Sequence, residues 1–334
     1  MTSKERVMAA FHHTKSDRVP RDYDANPVID KKLKQHFGLK KDDNNGIREA
    51  LGVDFRQVAP QYKGPKRFEL IKDRFIDQEF GVQYKWSSND SGGYWDACDF
   101  PLADLDLEKI ENWPMASPDD YDYTVLDHLC AKHQDKAIYL GNPGLGDLMN
   151  SSGALCGMDV VYLSVGLEDP AWIKLIDKRL DVQIEVMRRT LEAAKGKIDF
   201  FMMGEDLGTQ LAPIISLNSY RKLLRPGSSS WVYEDFIDMG VNAIDALQPD
   251  AANMSPTYLK ENFGDRLAFH GCISTTEALT FGTPQDVEKE VKETLEIMKP
   301  AKGYMLCPAH LIQDNSPVEN VLALYRAGDM YGDY

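Results

Sequence analysis

Apolar residues in this chain fall into short runs separated by longer amphipathic stretches. The runs predict strands over 18–24, 53–58, 136–141, 198–204, 241–245, 267–272 and 303–307. Helical periodicity covers 3–12, 27–37, 171–194, 216–225, 229–239 and 283–299, the last opening on Thr283-Pro284, an N-cap followed by proline at the first helical position. Strand–helix alternation of this kind belongs to α/β proteins with a parallel sheet. The 334 residues suffice for one (β/α)8 TIM barrel with helical and hairpin insertions in its N-terminal part.

Seven strands are one short of a closed barrel, whose strand number and stagger are linked. The shortfall lies between Glu205 and Asp245, where two helical stretches abut at Arg225-Pro226-Gly227-Ser228. The expectation is a single domain over 1–334, with an insertion at about 60–130 and a piece of chain missing between Pro226 and Gly227; an open or irregular barrel is the other reading. Within the insertion, residues 81–114 hold Tyr84, Trp86, Tyr94, Trp95 and Trp113 among Gly, Ser and Asp. A hairpin pairing 82–86 with 93–97 over the barrel mouth is expected there. Its aromatics are either surface packing or a wall for a flat substrate or partner.

Composition narrows the class. The net charge of −15 argues against a nucleic-acid binder. No uninterrupted apolar stretch is long enough for a membrane span, and the polar, amphipathic N-terminus does not resemble a signal peptide. Five scattered cysteines do not form a secreted disulfide framework, so a cytoplasmic location is expected.

In a parallel barrel the carboxyl ends of the strands open on one face, and that face carries the active site. Asp245, Cys272 and Cys307 are predicted there, on three successive strands, one βα unit apart. One carboxylate and two thiolates with an open fourth position describe a catalytic Zn2+ site. Cys98, Cys130 and Cys156 read as small core residues. His270 shares strand parity with Cys272 and is a candidate substrate contact or alternative ligand. Glu205 and His310 are candidate catalytic groups, Glu205 as a proton donor in the loop Gly204-Glu-Asp-Leu-Gly208. Tyr23, Asn142 and Asp206 are candidates for lining the substrate pocket. The turn Asn142-Pro-Gly-Leu-Gly146 is not a dinucleotide fingerprint, because its spacing is wrong.

Several motifs together resemble the uroporphyrinogen decarboxylase superfamily, which includes corrinoid-dependent methyltransferases. They are Glu5-Arg-Val-Met-Ala-Ala with Asp17-Arg-Val-Pro20, Gly204-Glu-Asp-Leu-Gly-Thr-Gln210, Phe263-Gly-Asp-Arg-Leu-Ala-Phe-His-Gly271, Phe281-Gly-Thr-Pro284, and Gly303-Tyr-Met-Leu-Cys-Pro-Ala-His310 with Pro317-Val-Glu-Asn320. The resemblance implies a (β/α)8 barrel with its site at the strand carboxyl ends. It disfavours the decarboxylase branch, which carries an arginine-rich loop after the first strand for substrate carboxylates. Here that loop is Arg21-Asp-Tyr-Asp-Ala-Asn-Pro27, which would repel a polycarboxylate.

The methyltransferase branch implies zinc held by a carboxylate or histidine and two cysteines. A His-x-Cys pattern after a central strand, as in thiol-methylating members, is not found. The Asp–Cys–Cys set resembles members that move a methyl group from oxygen to cobalt. The expected activity is therefore O-demethylation: a methyl group leaves a small methoxylated substrate, an aromatic methyl ether, for the cobalt of a cobalamin (corrinoid) carried by a partner protein. The chain itself lacks the Asp-x-His-x-x-Gly pattern of corrinoid-binding modules. The alternatives are a methylcorrinoid:thiol or tetrahydrofolate methyltransferase, a decarboxylase-like lyase, and a barrel that only docks a corrinoid protein. A homodimer is compatible with the sequence.

Overall fold

The computed structural model describes residues 1–206, 208, 214–216, 233–238 and 240–334. Its framework is two three-stranded parallel sheets. The first is β1 (Phe55–Val58), β7 (Ala137–Gly141) and β8 (Phe200–Met202), in the order β1-β7-β8. The second is β9 (Ala243–Leu247), β10 (Ala268–Ile273) and β11 (Tyr304–Pro308), in the order β11-β10-β9. The extended segment 18–25 joins them. On one side Leu306 N–H donates to Pro20 O and Asp22 N–H to Leu306 O; on the other, Asp54 N–H donates to Arg21 O. The result is seven neighbouring parallel segments in the sequential order of a β/α barrel. Among the described residues nothing pairs β8 with β9. The predicted helix over 216–225, apart from Ser216, and the break at Pro226/Gly227 lie outside the described residues.

The two sheets share one interior. Phe55 of β1 meets His270 of β10 edge-on at 5.6 Å and Phe200 of β8 at 6.0 Å, although these strands are not neighbours. Tyr139 stacks on Phe200 at 5.5 Å. The N-terminal helix Ser3–Phe11 closes the opposite end, with Phe11 against Phe200. Strands buried on both faces read as continuous apolar runs, which is why β11 is buried at every position.

Helix starts follow the sequence closely. Pro27, Pro170, Pro256 and Pro284 each sit in the first turn behind an N-cap of Asn26, Asp169, Ser255 or Thr283 whose side chain accepts a backbone N–H. No helix among the described residues is long and apolar enough to cross a membrane.

Between β1 and β7 the chain leaves the repeat. A short antiparallel pair joins β2 (Gln61–Tyr62) to β6 (Tyr121–Asp122). A second sheet holds β3 (Phe75–Ile76), β4 (Gln83–Asn89) and β5 (Gly92–Ala97), with Trp86 opposite Trp95. The turn of this β4–β5 hairpin reaches the loop that follows β11. Gly93 N–H donates to the Asp314 carboxylate at 3.1 Å, in the loop after β11, and Gly92 packs against Val28. The outer face of the hairpin leaves Phe75, Trp86 and Trp95 exposed and in mutual contact.

Just before β1, Asp54 is fully buried. It accepts from Arg6 Nη1 at 2.6 Å, Arg18 Nη1 at 2.8 Å and the Arg21 backbone N–H at 2.9 Å. A buried carboxylate is tolerated there because two guanidinium groups and an amide satisfy it.

Candidate active site

Asp245, His270, Cys272 and Cys307 lie on adjacent strands β9, β10 and β11. Cys272 is directly opposite Cys307 in the β10–β11 ladder. Both thiols are buried, and burial pushes each up to about 12, against an opposing pull from His270. Asp245 is two residues short of the end of β9, inside the strand rather than at its tip, because the apolar run continues through Leu247.

His270 is the hub. Its Nδ1 lies 2.5 Å from Asp245 Oδ1, and its Nε2 is 3.5 Å from Asp22 Oδ2. Nε2 is buried and, among the described residues, makes no hydrogen bond. Burial alone would lower the imidazole's pKa, but Cys307, Asp245 and Asp22 outweigh it and hold the group well above its ordinary value. Asp24 stands at the rim beside Asp22, and its carboxyl is raised by loss of solvation and by the Asp22 and Asp245 charges.

The donor types gathered here, two thiols, an imidazole and carboxylates, are those zinc prefers. Once its proton leaves, Nε2 is a buried lone pair that a metal cation would satisfy. In the conformation described, His270 and the carboxylates engage one another. Among the described residues no three His, Cys, Asp or Glu side chains are arranged as a coordination cage. The sequence pattern His-x-Cys, absent after a central strand, occurs on β10 as His270-Gly271-Cys272.

Glu205 lies elsewhere at the mouth, after β8. It is buried and accepts from the N–H groups of Leu148 at 2.7 Å and Met149 at 3.2 Å, at the start of the helix Met149–Cys156. Asp147, which sequence reasoning did not single out, takes the next two amides, Asn150 at 2.8 Å and Ser151 at 3.2 Å. Burial and the neighbouring Asp147 push Glu205 up to about 8. At neutral pH the Glu205–Asp147 pair therefore keeps a proton. The signal for Asp147 was local: an Asp three residues before Asn150 is a helix-capping arrangement.

The remaining candidates are dispersed. His310 is exposed in the loop after β11, within 3.1 Å of Gln313 Nε2. Asp206 is exposed and accepts from Asn150 Nδ2 at 3.0 Å. Asn142 is exposed, and its Oδ1 accepts the Gly144 N–H at 2.8 Å. Tyr23 is buried, donates to Asp30 at 3.0 Å and lies beneath the Arg48 guanidinium.

The region that carries β9, β10 and β11 also carries the sequence likeness. Residues 227–331 match the family model described as Uroporphyrinogen decarboxylase (URO-D). A methyltransferase from Methanosarcina mazei has the same fold, with a TM-score of 0.65 over 99% of both chains at 16% identity. No curated protein matches the chain in sequence. The chain is thus an α/β protein with the fold of that methyltransferase, and the match to the decarboxylase model is confined to its C-terminal third.

Proposed function

We propose that the chain is a corrinoid-dependent methyltransferase on a closed (β/α)8 barrel. It would take a methyl group from an O-methyl compound, an aromatic methyl ether, and deliver it to the cobalt of a corrinoid protein. The observation that carries this reading is the in-register pair Cys272–Cys307 beside His270 and Asp245. Zinc would be held by Asp245, Cys272 and Cys307, with His270 as an alternative ligand, and would supply Lewis acidity toward a substrate oxygen.

The protein's own groups have separable tasks. Asp245 accepts the Nδ1 proton of His270 and so orients Nε2 into the site. Phe55, Tyr139 and Phe200 line the interior and exclude water from it. The proton held by the Glu205–Asp147 pair would pass to a departing oxygen anion, and the carboxylate left at Glu205 would be stabilised by the Leu148 and Met149 N–H groups. Asp22 and Asp24 disfavour a polyanionic substrate, which argues against decarboxylation of a porphyrinogen.

A second reading has one observation in its favour. His270-Gly271-Cys272 has the His-x-Cys form of thiol-methylating relatives, so methylcorrinoid:thiol transfer is the alternative. One assay separates the two. Purified protein is mixed with reduced cobalamin and a panel of methoxylated aromatics, and in parallel methylcobalamin is mixed with thiols or tetrahydrofolate. Formation of methylcobalamin in the first arm supports ether cleavage. Loss of methylcobalamin in the second arm alone supports the alternative. Silence in both removes methyl transfer.

A further inference from the structure

We propose that Tyr304 is a positioning residue that holds the backbone at Gly271–Cys272 in a strained form and thereby aims the Cys272 sulfur. The inference rests on reading Cys272 as a functional thiol. Tyr304 opens β11, is fully buried and donates its hydroxyl to Gly271 O at 2.8 Å. That carbonyl belongs to the peptide plane preceding Cys272, so fixing it constrains the φ of Cys272. Cys272 has φ +69°, a left-handed conformation that side-chain-bearing residues avoid, and Gly271 has φ +123°. The same stretch breaks register with β9, where Phe269 faces Ile244 but Gly271 faces Leu247.

A strained residue persists only where its surroundings over-determine it. On the far side, a side chain at Gly271 would crowd Leu247 N at 3.1 Å, so only glycine fits there comfortably. On the near side the hydroxyl of Tyr304, bonded to Gly271 O, is the pin. Without the pin the peptide can rotate, φ at Cys272 can relax, and the sulfur leaves its place opposite Cys307.

The test is Tyr304→Phe, which removes one oxygen from the full-length protein. Two quantities are read: the alkylation rate of Cys272 relative to Cys307, resolved by peptide mass spectrometry, and the affinity for Co2+ followed by thiolate-to-cobalt absorption. The inference expects the Cys272:Cys307 labelling ratio to change and Co2+ affinity to fall about tenfold, as for groups that orient a metal ligand. An unchanged ratio overturns it, whatever the metal result. A wild-type protein that shows no thiolate-to-cobalt absorption defeats the zinc reading instead, and the labelling ratio alone then decides the role of Tyr304. Should the variant not fold, a crystal structure of the unaltered protein decides: negative φ at Cys272, or a hydroxyl turned away from Gly271 O, overturns the inference, and the strained form with the bond in place supports it.

Discussion

His270 Nδ1 lies 2.5 Å from Asp245 Oδ1, across the β9–β10 pairing. A carboxylate behind an imidazole fixes the ring's orientation and raises its basicity, the arrangement that supports metal-bound histidines. Asp245→Asn keeps the shape and removes the charge. Zinc affinity, measured by competition with a chromogenic chelator, is expected to drop about 10–100-fold. Affinity equal to wild type would show that Asp245 neither binds nor orients.

Asp54 links the N-terminal helix to the first two segments of the framework. Asp54→Ala would leave the Arg6 and Arg18 guanidinium groups without their buried acceptor. Breaking one half of such a buried network costs about 3–5 kcal/mol. Urea unfolding should register that loss, and a midpoint within error of wild type would contradict the structural role.

Glu205 gives a pH signature. Its folded-state pKa, about 8, is raised above the ordinary 4.5. Between those values the unfolded chain loses this proton and the folded chain keeps it, so this group's contribution to stability declines as pH rises from about 4.5 to about 8. Glu205→Gln cannot ionise. The melting-temperature difference between Glu205→Gln and wild type should therefore shift in favour of the variant from pH 5 to pH 8. A difference that stays constant across that window would mean that Glu205 ionises normally.

Asp314 ties the β4–β5 hairpin to the loop after β11 through the Gly93 N–H. Asp314→Ala is expected to speed amide hydrogen exchange over residues 83–97 while β10 and β11 remain protected. Equal protection of the hairpin in both proteins would show that the tether does not hold it.

Much of the framework was legible because parallel strands buried on both faces are unbroken apolar runs. The strands around Tyr139, His270 and Leu306 lie within a residue or two of their expected bounds. The helix Met149–Cys156 was not legible. Its Asn-Ser-Ser-Gly stretch forms helix poorly, and the helix is held at its start by Glu205 and Asp147, one of them from a distant loop. The adjacency of Cys272 and Cys307 followed from barrel order. The strain at Cys272, the Asp22–His270 approach and the Glu205–Asp147 pairing are contacts between residues far apart in the chain, and no local pattern encodes them.

The central claim is that Cys272 and Cys307, with His270 and Asp245, hold one zinc ion. Metal analysis by mass spectrometry of protein purified without chelator, alongside Cys272→Ala and Cys307→Ala, tests it most directly. One zinc per chain in wild type, lost in both variants while their circular dichroism stays native, is the predicted result. Zinc retained by both variants, or methyl transfer by a wild-type protein that binds no divalent metal, would contradict the claim.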